Sequence, residues 1–343
     1  ADVDSERFGN MSGMFSGNTS LKTLILGDKF HCIWPSLDMT YMFDGLSALQ
    51  TLDLGANFTA CPNKTTGMFR NCKSLKTLNL SGIYLNTNAR LEDTTYMFQG
   101  CSSLESINLG SRAEYYLAEA KDTSYMFDGC SSLKSLGGPI RFRIVCSNTN
   151  MSYMFRDCSA LTDISFDVSA GYPHFSDLAT MQGMFSGCSN LSRISMDNWF
   201  LPNLTNTKEM FKSCSNLTDI TLIWRDMTAE TRTFQTSNMF YGVPTNANLT
   251  LNVLDNNKQE ATELKNLFQT AFNNRNISSY GLDDEEEPEV YDLSEDEFET
   301  YGLDEDYDYD FDYDNDVELY DAAQDNNVIV HNEATPAGTH FAY

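Results

Sequence analysis

Apolar residues along this chain return in one phrase: a Met-Phe pair, then three apolar positions seven, ten and twelve residues after the Met. Met14 is followed by Leu21, Leu24 and Leu26. The phrase recurs with Leu49-Leu52-Leu54, Leu75-Leu78-Leu80, Leu104-Ile107-Leu109, Leu161-Ile164-Phe166, Leu191-Ile194-Met196 and Leu217-Ile220-Leu222. Met-Phe pairs begin at Met14, Met42, Met68, Met97, Met126, Met154, Met184, Met210 and Met239, at intervals of 28, 26, 29, 29, 28, 30, 26 and 29 residues. A period of that size predicts a solenoid, in which each coil buries its apolar side only against its neighbours. The closing alternation of two apolar residues around a polar one predicts a short strand with one buried face. The residues before it, such as Thr149 to Asp157, suit a short helical turn.

One strand per coil with a helical or irregular return is the anatomy of a leucine-rich-repeat solenoid carrying a parallel β-sheet on one face. Nine coils are expected over residues 1–254. Ala261, Leu264, Leu267, Phe268 and Phe272 then recur at helical spacing within Lys258–Asn273, which predicts a C-terminal capping helix within residues 255–280. Residues 1 to 12 run almost directly into the first Met-Phe pair. Solenoid ends expose apolar core and strand edges, so either upstream residues or another element is expected to cover this one.

The segments TSYMFDGCSSLKSL (123–136), NMSYMFRDCSALTDI (150–164) and QGMFSGCSNLSRI (182–194) resemble the BspA-type leucine-rich repeats of microbial surface proteins. The resemblance covers roughly residues 8–254. It implies a secreted or surface-anchored protein used in adhesion, host-protein binding or coaggregation. The coils here are longer than many in that family, and the added residues fall in loops such as Arg112–Lys121 and Ser169–Ala179.

Charge divides the chain. Of its 49 Asp and Glu residues, 23 lie between Gly281 and Tyr343, where there is no Lys or Arg. The remaining 26 acidic residues face 22 basic ones, so the first 280 residues carry only −4 of the total −27. A nearly neutral body with a polyanionic extension, residues 281–343, argues against nucleic-acid binding, which needs a basic face. Cations or basic protein surfaces suit the extension better. No stretch approaches the roughly 18 consecutive apolar residues of a membrane span.

The extension alternates strictly from Asp306 to Asp314, so a strand there would put carboxylates on one face and aromatics on the other. Asp306, Asp308 and Asp310 match the first ligand positions of an EF-hand loop. Phe311 stands where that loop needs glycine and Val317 where it needs glutamate, so this is not an EF-hand. Weak multivalent Ca²⁺ binding by Asp306, Asp308, Asp310 and Asp312 and a disordered, solvating polyanion are the two readings open. Further on, Val328-Ile329-Val330 is a short β-prone run. Reaching the first coil of a second subunit, it would give a head-to-tail fibre.

Cys72, Cys101, Cys130, Cys158, Cys188 and Cys214 each follow the Met of their coil by four residues, where the second coil carries Leu46. A position that accepts leucine is apolar, so these are read as buried, reduced thiols in a column. Cys32 and Cys61 occupy comparable points on adjacent coils, within reach of a disulfide or standing as two separate loop thiols. Eleven Asn-x-Ser/Thr sequons occur, Asn10 and Asn276 among them; several arise because the repeat itself spells Asn-Leu-Ser/Thr, and glycosylation is open only on a eukaryotic secretory route.

The outward strand positions include Thr77, Asn79, Ser106, Asn108, Asp163, Arg193 and Asp219, a carpet of small polar groups suited to a protein or glycan ligand and equally to plain solvation. Trp199-Phe200, Trp224 and Tyr115-Tyr116 are aromatic candidates for the same role or for core filling. No nucleophile elbow, metalloprotease helix, P-loop or dinucleotide fingerprint is present, and His31, His174, His331 and His340 are scattered. The expected class is therefore a non-enzymatic, extracellular or cell-surface binding protein. The alternative is a structural subunit of a filament or surface layer.

Overall fold

A computed structural model of the chain describes residues 10–27, 35–55, 61–80, 93–108, 120–136, 140–141, 149–167, 175, 177–225, 234–254, 258–272, 277–278 and 329–331. The chain falls into two compact units: residues 5–280 with 326–343, and residues 1–4 with 281–325. The elements, all in the first unit, run β1 (Thr23–Ile25), β2 (Pro35–Asp38), β3 (Thr51–Asp53), β4 (Cys61–Lys64), β5 (Thr77–Asn79), β6 (Ser106–Asn108) and β7 (Ile140–Arg141). They continue as β8 (Phe166–Asp167), β9 (Arg193–Phe200), β10 (Asp219–Arg225), β11 (Asn248–Leu254), α1 (Lys258–Ala271), β12 (Ile277–Ser278) and β13 (Ile329–His331). The architecture is a parallel β-solenoid with one helix among the described residues.

Strands from successive coils pair in parallel and in register, as Leu24 with Leu52, Leu78 with Ile107, and Ile194 with Ile220 and Leu249. In β1, β3, β5 and β6 the middle residue is the most buried of the three. Leu78 and Ile107 are buried while Thr77, Asn79, Ser106 and Asn108 are exposed, as period two requires. The strands pair in short pieces, β13–β1–β3, β2–β4, β5–β6, β7–β8 and β9–β10–β11–β12.

The return arm is made of turns, not helix. In the coil of Met126, the amides of Met126, Asp128 and Cys130 donate to Thr123, Tyr125 and Phe127 of their own coil. The intervening amides of Tyr125, Phe127 and Gly129 donate to Ser152, Met154 and Arg156 of the next coil, at 3.0, 2.8 and 2.8 Å. The alternation depends on two left-handed residues per coil. The residue before each Met has φ between 54° and 64°, as at Tyr125 and Tyr153, and the third residue after it lies between 58° and 83°, as at Gly129 and Asp157. A helix cannot continue through such residues, which is why the helical turn expected over 149–157 is replaced by a tight zigzag. Four residues before the Met, a column of isolated parallel bridges runs from Lys64 through Asp93, Asp122, Asn150, Thr180 and Asn206 to Gln235. Asx side chains there accept the amide two residues on, as Asp122 does from Ser124 at 2.8 Å.

The core is a set of columns. Phe15, Phe43, Phe69, Phe98, Phe127, Phe155, Phe185, Phe211 and Phe240 stack with centroids 5.1 to 5.8 Å apart. That spacing lets offset rings follow the ~4.8 Å strand separation. Helix α1 closes the column: Phe272 meets Phe240 edge-on at 4.9 Å, and Phe268 meets Trp224 and Phe234 at 5.4 and 5.5 Å. Leu264, Phe268 and Phe272 are buried and Leu267 packs partly against the core, as the helical spacing implies. Burial of each such side chain stabilises by roughly 1.5–3 kcal/mol.

At the other end, β13 runs antiparallel along β1, pairing Thr23 with His331, Leu24 with Val330 and Ile25 with Ile329. The far segment of the chain thus lies on the first strand of its own solenoid.

Candidate recognition surface

Of the expected ligand-face residues, Thr77, Asn79, Ser106, Asn108, Arg193 and Asp219 lie on strands, and Asp163 precedes β8. Thr77 and Ser106 are register partners, as are Asn79 and Asn108, and the Asn108 Nδ2 donates to Asn79 Oδ1 at 3.0 Å. Beside them on the same face, Lys134 approaches Glu105 at 3.4 Å. Further along, Arg193 Nε lies 3.8 Å from Asp163 Oδ1, with both side chains largely exposed. Asp219 pairs with Arg193 in register and accepts from Asn248 Nδ2 at 3.3 Å. The residues therefore form two groups, one of neutral amides and hydroxyls on β5 and β6 and one of charged side chains around Arg193. Exposed ion pairs of this kind add little stability, about 0–1 kcal/mol. Their groups stay accessible to a partner.

Of the aromatic candidates, Trp199 and Trp224 are fully buried and fill core. Trp199 lies 4.7 Å from Phe175, and Trp224 is covered by Phe268. Phe200 is half-buried, and Tyr115-Tyr116 lie outside the described residues. So do Cys32, one half of the expected disulfide, and Asp306, Asp308, Asp310 and Asp312. Among the described residues, no group of three His, Cys, Asp or Glu could hold a metal ion.

A second surface was not legible from the strand pattern. Tyr96, Tyr125 and Tyr153, each just before the Met of its coil, stack at 5.1 and 5.0 Å on the flank of the return arm. Arg156 lies over this stack, 5.3 Å from the Tyr125 ring and 4.9 Å from Tyr153. Its Nε and Nη2 donate to the two carboxylate oxygens of Asp128, both at 2.7 Å, while Gln99 Nε2 donates to the same carboxylate at 2.9 Å. Arg70 repeats the arrangement, 4.6 Å over Tyr41 and bidentate on Asp44 at 2.9 and 2.8 Å. The Asp128 hydrogen bonds hold the Arg156 pKa up, outweighing partial burial, and Asp44 does the same for Arg70. Burial, then the neighbouring Tyr153, raises the Tyr125 phenol. The sequence signal is Tyr just before the Met at Tyr41, Tyr96, Tyr125 and Tyr153, with Asp then Arg two residues after the Met in adjacent coils, as Asp44 then Arg70 and Asp128 then Arg156.

The cysteine column is buried throughout, and each thiol donates to the Phe carbonyl of the preceding coil. Cys72, Cys101, Cys130, Cys158, Cys188 and Cys214 reach Phe43, Phe69, Phe98, Phe127, Phe155 and Phe185 at 3.0 to 3.2 Å. Burial pushes Cys130, Cys158 and Cys188 well up, and Cys214 up to about 12. For Cys101 the hydrogen bond with Cys72 is the larger cause of the raised pKa, and burial adds to it. All six are free thiols, and protonated thiols buried in this way are inert.

Strand, return and buried columns define a leucine-rich-repeat solenoid. Four overlapping matches, over residues 2–109, 37–166, 92–224 and 123–252, assign it further: the chain belongs to the family described as Mycoplasma protein of unknown function, DUF285. No curated protein matches the chain. Among solved structures it is similar to a leucine-rich cell surface protein from Faecalibacterium prausnitzii A2-165, at 15% identity and a TM-score of 0.27, covering 74% of this chain and 77% of that one. A leucine-rich-repeat protein of Leptospira interrogans aligns at 12% identity and a TM-score of 0.17, over 71% and 81% of the two chains.

Proposed function

We propose that this chain is a non-enzymatic recognition module, displayed outside the cell or on its surface, that binds a protein or glycan ligand through the exposed strand face. One observation carries the reading. The residues facing outward from β5, β6, β9 and β10 are polar and paired in register, so Thr77, Asn79, Ser106, Asn108, Arg193 and Asp219 present hydrogen-bonding groups at strand spacing, with Asp163 beside Arg193. Repeated groups at fixed intervals suit a ligand that repeats or extends, because several weak contacts then act together. No helix among the described residues is long and apolar enough to cross a membrane. Ca²⁺ held by Asp306, Asp308, Asp310 and Asp312, and a Cys32–Cys61 disulfide, belong to the same proposal and suit an extracellular setting.

The test is a binding screen over immobilised glycans and host-surface proteins, repeated with a variant carrying Asn79→Ala, Asn108→Ala and Arg193→Ala. These are exposed positions, so the fold is expected to survive. A loss of binding of tenfold or more at unchanged melting temperature supports the strand face. Undiminished binding by the variant removes it.

A second reading, a structural subunit of an extracellular filament or surface layer, is favoured by the pairing of β13 on β1. A sheet edge that accepts a strand from the far segment of the chain has the chemistry needed for head-to-tail assembly.

A further inference from the structure

We infer that the outer edge of β1 is a strand-acceptor site whose partner is β13 of a second copy of this chain, the contact seen within one molecule being its closed form. The inference rests on the filament reading and specifies its joint. Three observations carry it.

The first is chemical. β13 (Ile329-Val330-His331) pairs antiparallel with β1, whereas every other described strand pair in the molecule is parallel. It is not a coil of the repeat but a separate segment laid on the edge. Edge strands present unpaired amides and carbonyls that another chain can satisfy, and here β13 supplies the match.

The second is reach. Fifty residues, 279–328, separate Ser278 of β12 from Ile329. Fully extended they would span about 165 Å at ~3.3 Å per residue. The solenoid the chain must retrace is far shorter, about 40 Å for nine coils at ~4.8 Å. Chain length therefore permits β13 to seat on its own β1 or on a neighbour's, with the same register and the same hydrogen bonds. Exchanging an identical element between copies creates no new contact and needs no new surface.

The third is the asymmetry of the two ends. At the C-terminal end the core is closed by α1, through Phe268 and Phe272 packed on Trp224, Phe234 and Phe240. At β1 the described cover is a three-residue strand. A cover with so few contacts opens more readily than a packed helix. Because the donor and acceptor lie on different surfaces, exchange is heterologous and propagates unless the rotation closes a ring. Tethering makes the closed form dominate in dilute solution, and crowding of many copies shifts it to the exchanged one.

The experiment uses the full chain with single cysteines at one register pair, Thr23→Cys and His331→Cys. A double variant carrying both in one molecule is expected to close an internal disulfide at micromolar concentration. The two single variants, mixed and concentrated, unfolded and refolded together, then oxidised, are expected to give a cross-linked dimer that neither variant gives alone. Its yield should rise with concentration, and Val330→Pro in the His331→Cys partner, which breaks β13 while keeping the cysteine, should lower it sharply. Closure of the double variant without any mixed dimer overturns the exchange. Failure of the double variant to close overturns the clasp itself. Electron microscopy of the wild-type chain separates this from the filament reading. Cross-linked dimers without filaments uphold the exchange and reject the filament, and filaments without cross-linked dimers overturn the exchange while another joint builds the filament.

Discussion

The thiol of Cys158 lies 3.1 Å from the carbonyl oxygen of Phe127, one coil back, and donates to it from a fully buried position. That oxygen already accepts the amide of Cys130 at 3.0 Å, so the thiol uses the carbonyl's second lone pair and ties neighbouring coils together. A cysteine at this position combines a small apolar volume with a weak donor aimed along the solenoid. Leu46 and Val243 show what the site is without the donor: both are buried at the same point of their coils. Cys158→Val should therefore fold normally and lose about 0.5–1.5 kcal/mol, the scale of one hydrogen bond. Urea denaturation measures it, and a loss above about 3 kcal/mol would show that packing, not the bond, dominates.

Burial also makes stability depend on alkaline pH. Cys214 titrates at about 12 in the folded chain, against about 8.5 for a free thiol in the unfolded one. The raised folded value means its contribution is complete below about pH 8.5 and is lost as pH climbs toward 12, by up to ~1.4 kcal/mol per pH unit. Urea midpoints at pH 8 and pH 10 should fall accordingly, and Cys214→Val should fall less steeply. Equal slopes in the two proteins would contradict the assignment. Iodoacetamide applied to the native protein should leave all six column thiols unlabelled by peptide mass mapping.

Gly183 has φ of +60°, and a Cβ there would overlap the ring of Tyr153 on the preceding coil. Gly17 also has a positive φ, +79°, but a Cβ there meets nothing within 4 Å. Gly17→Ala should cost about 1–2 kcal/mol, from backbone conformation alone. Gly183→Ala adds a steric clash in a packed site and should cost a further 1–3 kcal/mol. Pairing it with Tyr153→Ala should recover the steric part. Thermal melts of the three variants test this, and equal losses at the two glycines would refute it.

Asp128 is almost fully buried, and its carboxylate is satisfied by Arg156 and Gln99. Arg156→Ala leaves that charge with one neutral donor and uncovers two tyrosine faces. The expected loss is about 1–3 kcal/mol, reduced at high salt because the arginine is partly exposed. Arg156→Lys should recover little, since an ammonium cannot reproduce the bidentate, stacked geometry. A double-mutant cycle with Asp128→Asn, read by chemical denaturation, would show no coupling if the pair were incidental.

Phe268 covers Trp224 and Phe234 at the C-terminal end of the core. Phe268→Ala should cost about 3–5 kcal/mol and loosen the last coils first, because a solenoid is coupled only through neighbours. Hydrogen exchange should then rise in β10 and β11 before β5 and β6. A uniform rise would mean that the array unfolds as one unit.

The period of the Met-Phe pairs and the alternation of Leu24, Leu52, Leu78 and Ile107 determined the solenoid, its parallel pairing and its outward polar face, because periodicity is a local property that each coil repeats. The burial of the cysteines followed from their exchange with Leu46, and the capping helix from the spacing of Leu264, Phe268 and Phe272. Tertiary structure alone decided the rest. Tyr125 takes a left-handed conformation that its residue type disfavours, held there by a hydrogen bond to the neighbouring coil. Arg156 meets Asp128, 28 residues away, only because stacking brings equal positions together. The seating of Ile329 opposite Ile25 joins segments some 300 residues apart, a contact no local pattern encodes, since any exposed strand edge would satisfy the same hydrogen bonds.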